Sequence, residues 1–345
     1  MVQGGHTSGG FITAIGGDRL ISAGGYRIHV FTASGAFVPS VAGSVEYLAV
    51  AGGGSGGFSY GGGAGAGGLV YKESSSVTAT SYAIDIGAGA AENLSSGAGN
   101  VGADTTFALD SITAKGGGGG GQENTDASSG GSGGGSGHEA SGNGSGTQTS
   151  QSGDSGTYGF GNAGGVGVAG PHYNVGGGGG SGSVGAAGNA TKSGNGGAGK
   201  DYSSRFGTSV GDSGWFASGG GGGATSDGST VPGTASSGGG TDGSETGEHS
   251  LAAAVNTGGG SGGGFNGKGG RAGGSGVVIV RYENSDTLYT VATGGTITSN
   301  GTHRIHVFNA SGAFNVITQG TTPTVDYLVI AGGGGGTRRL TAGGG

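Results

Sequence analysis

Alternation begins at Tyr26. In Tyr26-Arg27-Ile28-His29-Val30-Phe31, Ile28 and Val30 fall on one face and Arg27 and His29 on the other, the period of two expected of a half-buried strand. Thr32-Ala33-Ser34-Gly35 reads as a turn, Ala36-Phe37-Val38 as a short strand and residues 39–43 as a loop. Val45 to Ala51 predicts a further strand that runs straight into glycine. Leu69-Val70-Tyr71-Lys72 and Val77 to Ile86 predict a hairpin around a polar turn at Ser74 to Ser76, with Tyr82, Ile84 and Ile86 sharing a face. Thr105-Thr106-Phe107 and Ser111 to Ala114 form another short β pair. From Gln122 to Phe265 neither period two nor period 3.6 survives, and a strand pattern returns at Val277-Val278-Ile279-Val280.

The opening pattern occurs twice. His303 to Phe314 matches Tyr26 to Phe37, Val325 to Gly332 matches Val45 to Gly52, and Gly294-Gly295 aligns with Gly16-Gly17. A repeat this long is a tandem module rather than a solenoid unit. The organisation predicted is a β-rich opening over 1–44, a glycine-rich module over 45–282 and the start of a second copy over 283–345. The second copy stops just inside its own glycine region, which reads as an excerpt of a longer tandem protein or an opening completed by a neighbouring molecule.

Composition sharpens the picture. The chain has 345 residues, 101 of them glycine, and 10% are charged, against roughly 25% charged in an ordinary domain. Glycine disfavours helix by about 0.8–1 kcal/mol per position relative to alanine, so almost no α-helix is expected. Nine runs of three to six glycines lie between Gly52 and Gly264. Composition alone suggests flexible linkers. The similar run lengths and the bracketing strands favour an ordered alternative, a bundle of polyproline-II-type polyglycine helices with three residues per turn. Each amide then needs a partner in an adjacent helix, and interior positions admit no side chain. The fold class expected is all-β and irregular: a strand framework bracketing a polyglycine-helix bundle with long polar loops.

The net charge of −7 and the 13 thinly spread Lys and Arg give no basic footprint for nucleic acid. The start has no signal-peptide pattern, and the longest apolar run is too short to span a bilayer. With no cysteine, no disulfide, thiol nucleophile or Cys-ligated metal is available. Gly194 to Lys200 fits the first part of a phosphate-binding loop, but Asp201 stands where Ser or Thr would hold Mg²⁺. Asp242, Glu245, Glu248 and His249 read as a solvated polar loop more readily than as a cation site. No catalytic residue, metal site or cofactor is expected.

Four features resemble the glycine-rich domain of phage and prophage tail fibre proteins. They are Val45 to Gly54, a return at Gly65 to Tyr71, Ala114-Lys115 followed by six glycines, and the closing Gly276 to Tyr282. The likeness covers about residues 45 to 282. A looser likeness is to the tip adhesins of T-even-like phages, whose polyglycine sandwich presents variable loops to host outer-membrane proteins. The resemblance implies a non-enzymatic fibre or adhesin module, located in a virion tail fibre or otherwise extracellular. Its partners would be a host-surface protein or glycan, and itself or other fibre subunits, with no nucleic acid and no membrane insertion. The alternatives are a structural spacer in a large secreted surface or filament protein and an ice-binding polyglycine bundle.

Rigid bundles leave recognition to their connecting segments. The receptor-contact candidates are Tyr158, Tyr173, Tyr202 and Trp215, since exposed aromatics are typical binding anchors. The competing reading is a hydrophobic cap over the bundle edge. Phe206 and Phe216 are expected to be caps, while both readings stay open for Trp215, Tyr202 and Tyr173.

Overall fold

A computed structural model describes residues 12–140, 142–148, 159–168, 174–224, 230–245, 247–283, 291–299, 303–318 and 325–332. The chain forms two compact units, Met1–Asn284 and Ser285–Gly345. In the first, the strands are β1 (Ala14–Ile15), β2 (Arg19–Ala23), β3 (Tyr26–Phe31), β4 (Gly35–Pro39), β5 (Gly43–Val50), β6 (Leu69–Val77), β7 (Tyr82–Asp85), β8 (Thr105–Phe107), β9 (Ile112–Ala114), β10 (Gly159–Phe160), β11 (Lys200–Asp201), β12 (Trp215–Phe216) and β13 (Val277–Glu283). Helix is confined to α1 (Ser203–Phe206) and one 3-10 turn at Leu109–Ser111 among the described residues.

Two larger sheets result, ordered β10-β6-β5-β13-β3-β2 and β1-β4-β7-β8-β9, with β11 and β12 forming a two-stranded third. Alternation sends Val45, Tyr47 and Ala49 of β5 and Val278, Val280 and Tyr282 of β13 into one core. There they meet Phe37, Ile84, Phe107 and Ile112 from the second sheet. The opposite face of the same strands, with Leu48, Val50, Val277 and Ile279, packs on Tyr202, Phe206, Val210 and Phe216. The closing strand β13 is therefore apolar on both faces because both faces are covered. It lies between β3 and β5, with Ile279 opposite both Val30 and Leu48. Residues 12–44 of the opening segment thus share their sheets with strands of the glycine-rich module.

Two local expectations need correction. Residues 69–77 form one continuous strand rather than the first arm of a hairpin, and β7 belongs to the other sheet. Ser75 is buried within β6, where its hydroxyl donates to Asp110 at 2.6 Å. His29 points into the core, 1% exposed, instead of lining a polar face. Its burial is tolerated because both ring nitrogens have partners, Gly16 O at 2.7 Å from Nδ1 and the Tyr282 hydroxyl at 3.1 Å from Nε2.

The glycine runs pack as a solid bundle, centred on residues 61–68. Amide donors on this central helix rotate among three neighbours. Gly62, Gly65 and Gly68 donate to Gly121, Gly118 and Lys115 at 2.8, 2.8 and 2.7 Å. Gly63 and Ala66 donate to Gly176 and Gly179, both at 3.0 Å, and Gly61, Ala64 and Gly67 donate to Gly264, Ser261 and Gly258. The carbonyls rotate among three further neighbours. Gly62, Gly65 and Gly68 accept from Gly57, Gly54 and Ala51; Gly63 and Ala66 accept from Gly135 and Ser132; Gly61 and Ala64 accept from Gly223 and Gly220. A partner that recurs every third residue is the signature of three residues per turn, and six neighbours around one helix is hexagonal packing. Alanine is nevertheless admitted at the centre, because Ala64 and Ala66 are both 0% exposed. The Ala66 methyl faces the apolar cluster that holds Val50, Leu69 and Phe216.

The second unit contains β14 (Val291–Thr293), β15 (Thr296–Ser299), β16 (Arg304–Val307) and β17 (Asn315–Thr318). Its registers repeat those of the first unit: Thr296 faces Val307 as Arg19 faces Val30, and Ala292 faces Val316 as Ala14 faces Pro39. Gly294 has φ +113° against +114° at Gly16, and His306 Nδ1 meets Gly294 O at 2.7 Å.

Candidate recognition surface at the bundle tip

Residues 51–57 leave the sheet from β5 and residues 61–68 return to β6, so the turn at 58–60 lies at the end of the bundle away from the sheets. The same excursion recurs between β7 and β8, after β9 and before β13, placing the turns at 94–96, 122–126 and 265–269 at that end. Hydrogen bonds join these turns into one surface. Ser59 N–H donates to Lys268 O at 2.8 Å, and Phe58 N–H donates to Gly97 O at 3.3 Å. His138 N–H donates to Tyr60 O at 3.3 Å, and Asn124 N–H donates to His138 O at 2.8 Å. Gly269 N–H donates to His249 Nδ1 at 3.0 Å, which commits that nitrogen to the loop.

The tip turns reverse the chain through left-handed residues. Gly97, Gly247 and Gly267 do so at φ +89°, +79° and +69°, at no steric penalty. Ser59 and Tyr60 take the same region at +37° and +52°. A bulky residue there is an outlier and costs about 1–2 kcal/mol. Seven further described non-glycine residues share that region, Ala217 at +61° among them, and Tyr60 carries the largest side chain of the set. Phe58 and Tyr60 are both half-buried at the tip. A sequence signal for this site exists: Phe58-Ser59-Tyr60 sets two aromatics in a very short connection between glycine runs.

Of the aromatic positions expected from the sequence, Tyr202 and Trp215 fall elsewhere. Tyr158 and Tyr173 lie outside the described residues. Tyr202 is not an exposed anchor: it is 8% exposed, with its ring 4.8 Å from that of Tyr71, and burial pushes its hydroxyl pKa up. Phe206 and Phe216, at 1% and 0%, cap the six-stranded sheet. Trp215 is half-buried in β12 opposite Asp201, beneath that sheet rather than at the tip. Lys200, at the end of the phosphate-loop-like stretch, has its ammonium 3.8 Å from the centre of the Phe160 ring, and burial lowers its pKa.

A cavity of about 810 Å³ beside the sheet is lined by Glu46, Glu73, Arg205, Arg281, Tyr26 and Glu283, among others. Glu46, Glu73, Arg205 and Arg281 are spent on one another. Arg281 Nε donates to Glu46 Oε2 at 2.8 Å, the Tyr71 hydroxyl donates to Glu46 Oε1 at 2.8 Å, and Arg205 Nη2 donates to Glu73 at 2.6 Å. The Arg281 guanidinium also stacks 4.0 Å above the Tyr26 ring. This cluster locks α1 to the sheet, and we assign it a structural role.

The chain belongs to a glycine-rich domain family, whose sequence profile matches residues 32–283. No curated protein matches it in sequence. The family span runs from just after β3 to the end of β13, enclosing the whole polyglycine bundle. No helix among the described residues is long and apolar enough to cross a membrane.

Proposed function

We propose that the chain is a non-enzymatic module of an extracellular fibre or adhesin, of the kind carried by phage tails, and that it recognises a host-surface protein or glycan through the bundle tip. The observation that carries this reading is the tyrosine kept in a left-handed turn at the end of the central helix. Backbone strain of this sort concentrates at binding sites, where the surrounding structure holds it in place. A bundle cross-linked at nearly every residue supports the reading, because a rigid base lets short loops bind without losing much freedom on contact.

Fluorescently labelled protein applied to a panel of intact bacteria tests the proposal. Saturable labelling of some strains, lost in Tyr60→Gly but kept in Trp215→Ala, is the expected result. Absence of labelling on every strain, or labelling indifferent to the tip, would count against it. A spacer role is the second reading, favoured by the second unit's repetition of the same registers; it predicts no labelling at all.

A further inference from the structure

Asparagine followed by glycine is prone to intramolecular imide formation, because a residue without a side chain lets its amide nitrogen approach the preceding carboxamide. The sequence holds four such pairs, at Asn143, Asn195, Asn266 and Asn300, the last outside the described residues. Two are locked into the bundle. Gly144 N–H donates to Gly134 O at 2.8 Å, and the Asn143 side-chain amide donates to Gly164 O. Gly196 N–H donates to Thr234 O at 2.9 Å, and Asn195 Oδ1 accepts from Thr234 N–H at 3.0 Å. The pair at the tip is different. Asn266 and Gly267 are both exposed, and the asparagine side chain has no hydrogen bond among the described residues. Gly267 N–H donates to the Ser59 hydroxyl at 3.2 Å, a long bond to a side chain rather than to the bundle. A β-carbon at 267 would have nothing within 4 Å, so the space around the pair is open.

We propose that Asn266 is a modification site, converting spontaneously to aspartate and isoaspartate, and that the conversion ages the tip; the second half rests on the tip being the recognition surface. The Gly267 nitrogen attacks Cγ of Asn266 and a C–N bond forms. The side-chain NH₂ leaves with the proton of that nitrogen as ammonia, and a five-membered imide remains. Water then opens the ring. Addition at Cγ gives aspartate, and addition at the main-chain carbonyl gives isoaspartate, whose backbone runs through the former side chain. The balance is asparagine plus water to the acid plus ammonia, with no oxidant or cofactor. Residues 265–268 form a β-turn closed by Lys268 N–H to Phe265 O at 2.7 Å, with Gly267 left-handed at φ +69°. Isoaspartate adds a backbone carbon inside that turn, and either product adds a negative charge. The turn also holds the aromatic connection, because Lys268 O accepts from Ser59 N–H at 2.8 Å. Lengthening the turn therefore displaces the acceptor for the residue next to Tyr60.

The test incubates the full chain in mildly alkaline buffer, which promotes loss of the attacking nitrogen's proton. Peptide mass spectrometry follows each asparagine, with fragmentation that tells isoaspartate from aspartate. Asn266 should convert roughly thirtyfold faster than Asn143 or Asn195, the factor expected when two ordinary hydrogen bonds must first break at each of those sites. In concentrated urea the three rates should draw together, because the difference between them is structural. Ion exchange then separates the more acidic, modified chains from unmodified chains of the same incubation. The modified fraction should lose its labelling of bacteria and the unmodified fraction should keep it. Equal conversion at the three sites in the folded chain, or Asn266 intact while the others convert, would overturn the site. Undiminished labelling by the modified fraction would overturn its effect on the tip. Labelling absent even from fresh protein counts against recognition at the tip, and with it the ageing effect, while the masses alone decide the site.

Discussion

A β-carbon placed on Gly178 would lie 1.8 Å from the carbonyl oxygen of Ala64, on the central helix of the bundle. Neither side can give way. Gly178 N–H is held to Gly220 O at 2.9 Å, and Ala64 O accepts from Gly220 N–H at 2.9 Å. The glycine hydrogen on that side instead makes a Cα–H···O contact, repeated throughout the bundle. Gly178→Ala is expected to destabilise the fold by about 3 kcal/mol or more, at the upper end for overpacking. Gly247→Ala, at a tip position with φ +79° and nothing within 4 Å of the new carbon, should lose roughly 1–2 kcal/mol from backbone strain alone. Urea unfolding of both variants separates the two. Equal losses would mean that the helices are not in contact.

Tyr60→Gly separates stability from recognition. Relieving the left-handed tyrosine at φ +52° returns about 1–2 kcal/mol. Losing a half-buried ring removes part of the roughly 1.5–3 kcal/mol that full burial of a large apolar side chain provides. The two terms nearly cancel, so the unfolding midpoint should move little while cell labelling falls to background. A large drop in midpoint with labelling intact would assign Tyr60 to the core.

The strands were legible because their alternation is a local signal with a global consequence. Ile28, Val30, Ile84 and Val277 to Val280 are all buried as the pattern requires. The bundle was legible only as a class. Its order resides in which run donates to which, as in Gly63 to Gly176 and Ala64 to Ser261, and identical glycines carry no side chain to encode that choice. His29 misled because an imidazole reads as polar, whereas its partners, Gly16 and Tyr282, are 13 and 253 positions away. Tyr202 misled for a related reason: it sits in a glycine-rich stretch, but α1 folds it back beneath the sheet. At the tip, Phe58-Ser59-Tyr60 is visible in the sequence, but the strain at Tyr60 is a property of φ, which no composition reveals.

His29 gives the fold a pH dependence. Burial is the largest influence and holds its pKa below 6.5, helped by the charge on Arg27 and opposed by the hydrogen bond to Gly16. The folded state therefore favours the neutral ring, and the unfolded chain takes up the proton first as pH falls. Stability from this group is fully present above about pH 6.5 and is lost below it, at up to about 1.4 kcal/mol per pH unit, until the folded-state pKa is reached. His29→Gln should be less stable at pH 8 but flatter between pH 6.5 and 5 than the parent chain. Parallel slopes for the two proteins would place the acid sensitivity in another group.

The buried pair Glu46 and Arg281 should be more costly to halve than to remove. Both residues are 7% exposed, with Nε of the arginine 2.8 Å from the carboxylate. Glu46→Ala leaves a guanidinium facing the Tyr26 ring and the Arg205 carbonyl with no anion beside it. Stranding one charge of a buried pair costs about 3–5 kcal/mol. The double variant Glu46→Leu, Arg281→Met exchanges the pair for apolar volume between β5 and β13, and such swaps are often neutral or stabilising by about 1–4 kcal/mol. The Tyr71 hydroxyl then loses its acceptor, Glu46 Oε1, at a cost of about 1–3 kcal/mol, which largely cancels that gain. Denaturation of the single and double variants should accordingly place the double close to the parent chain and well above Glu46→Ala. A double variant no more stable than Glu46→Ala would show that the pair itself fixes the register of β13 against β5.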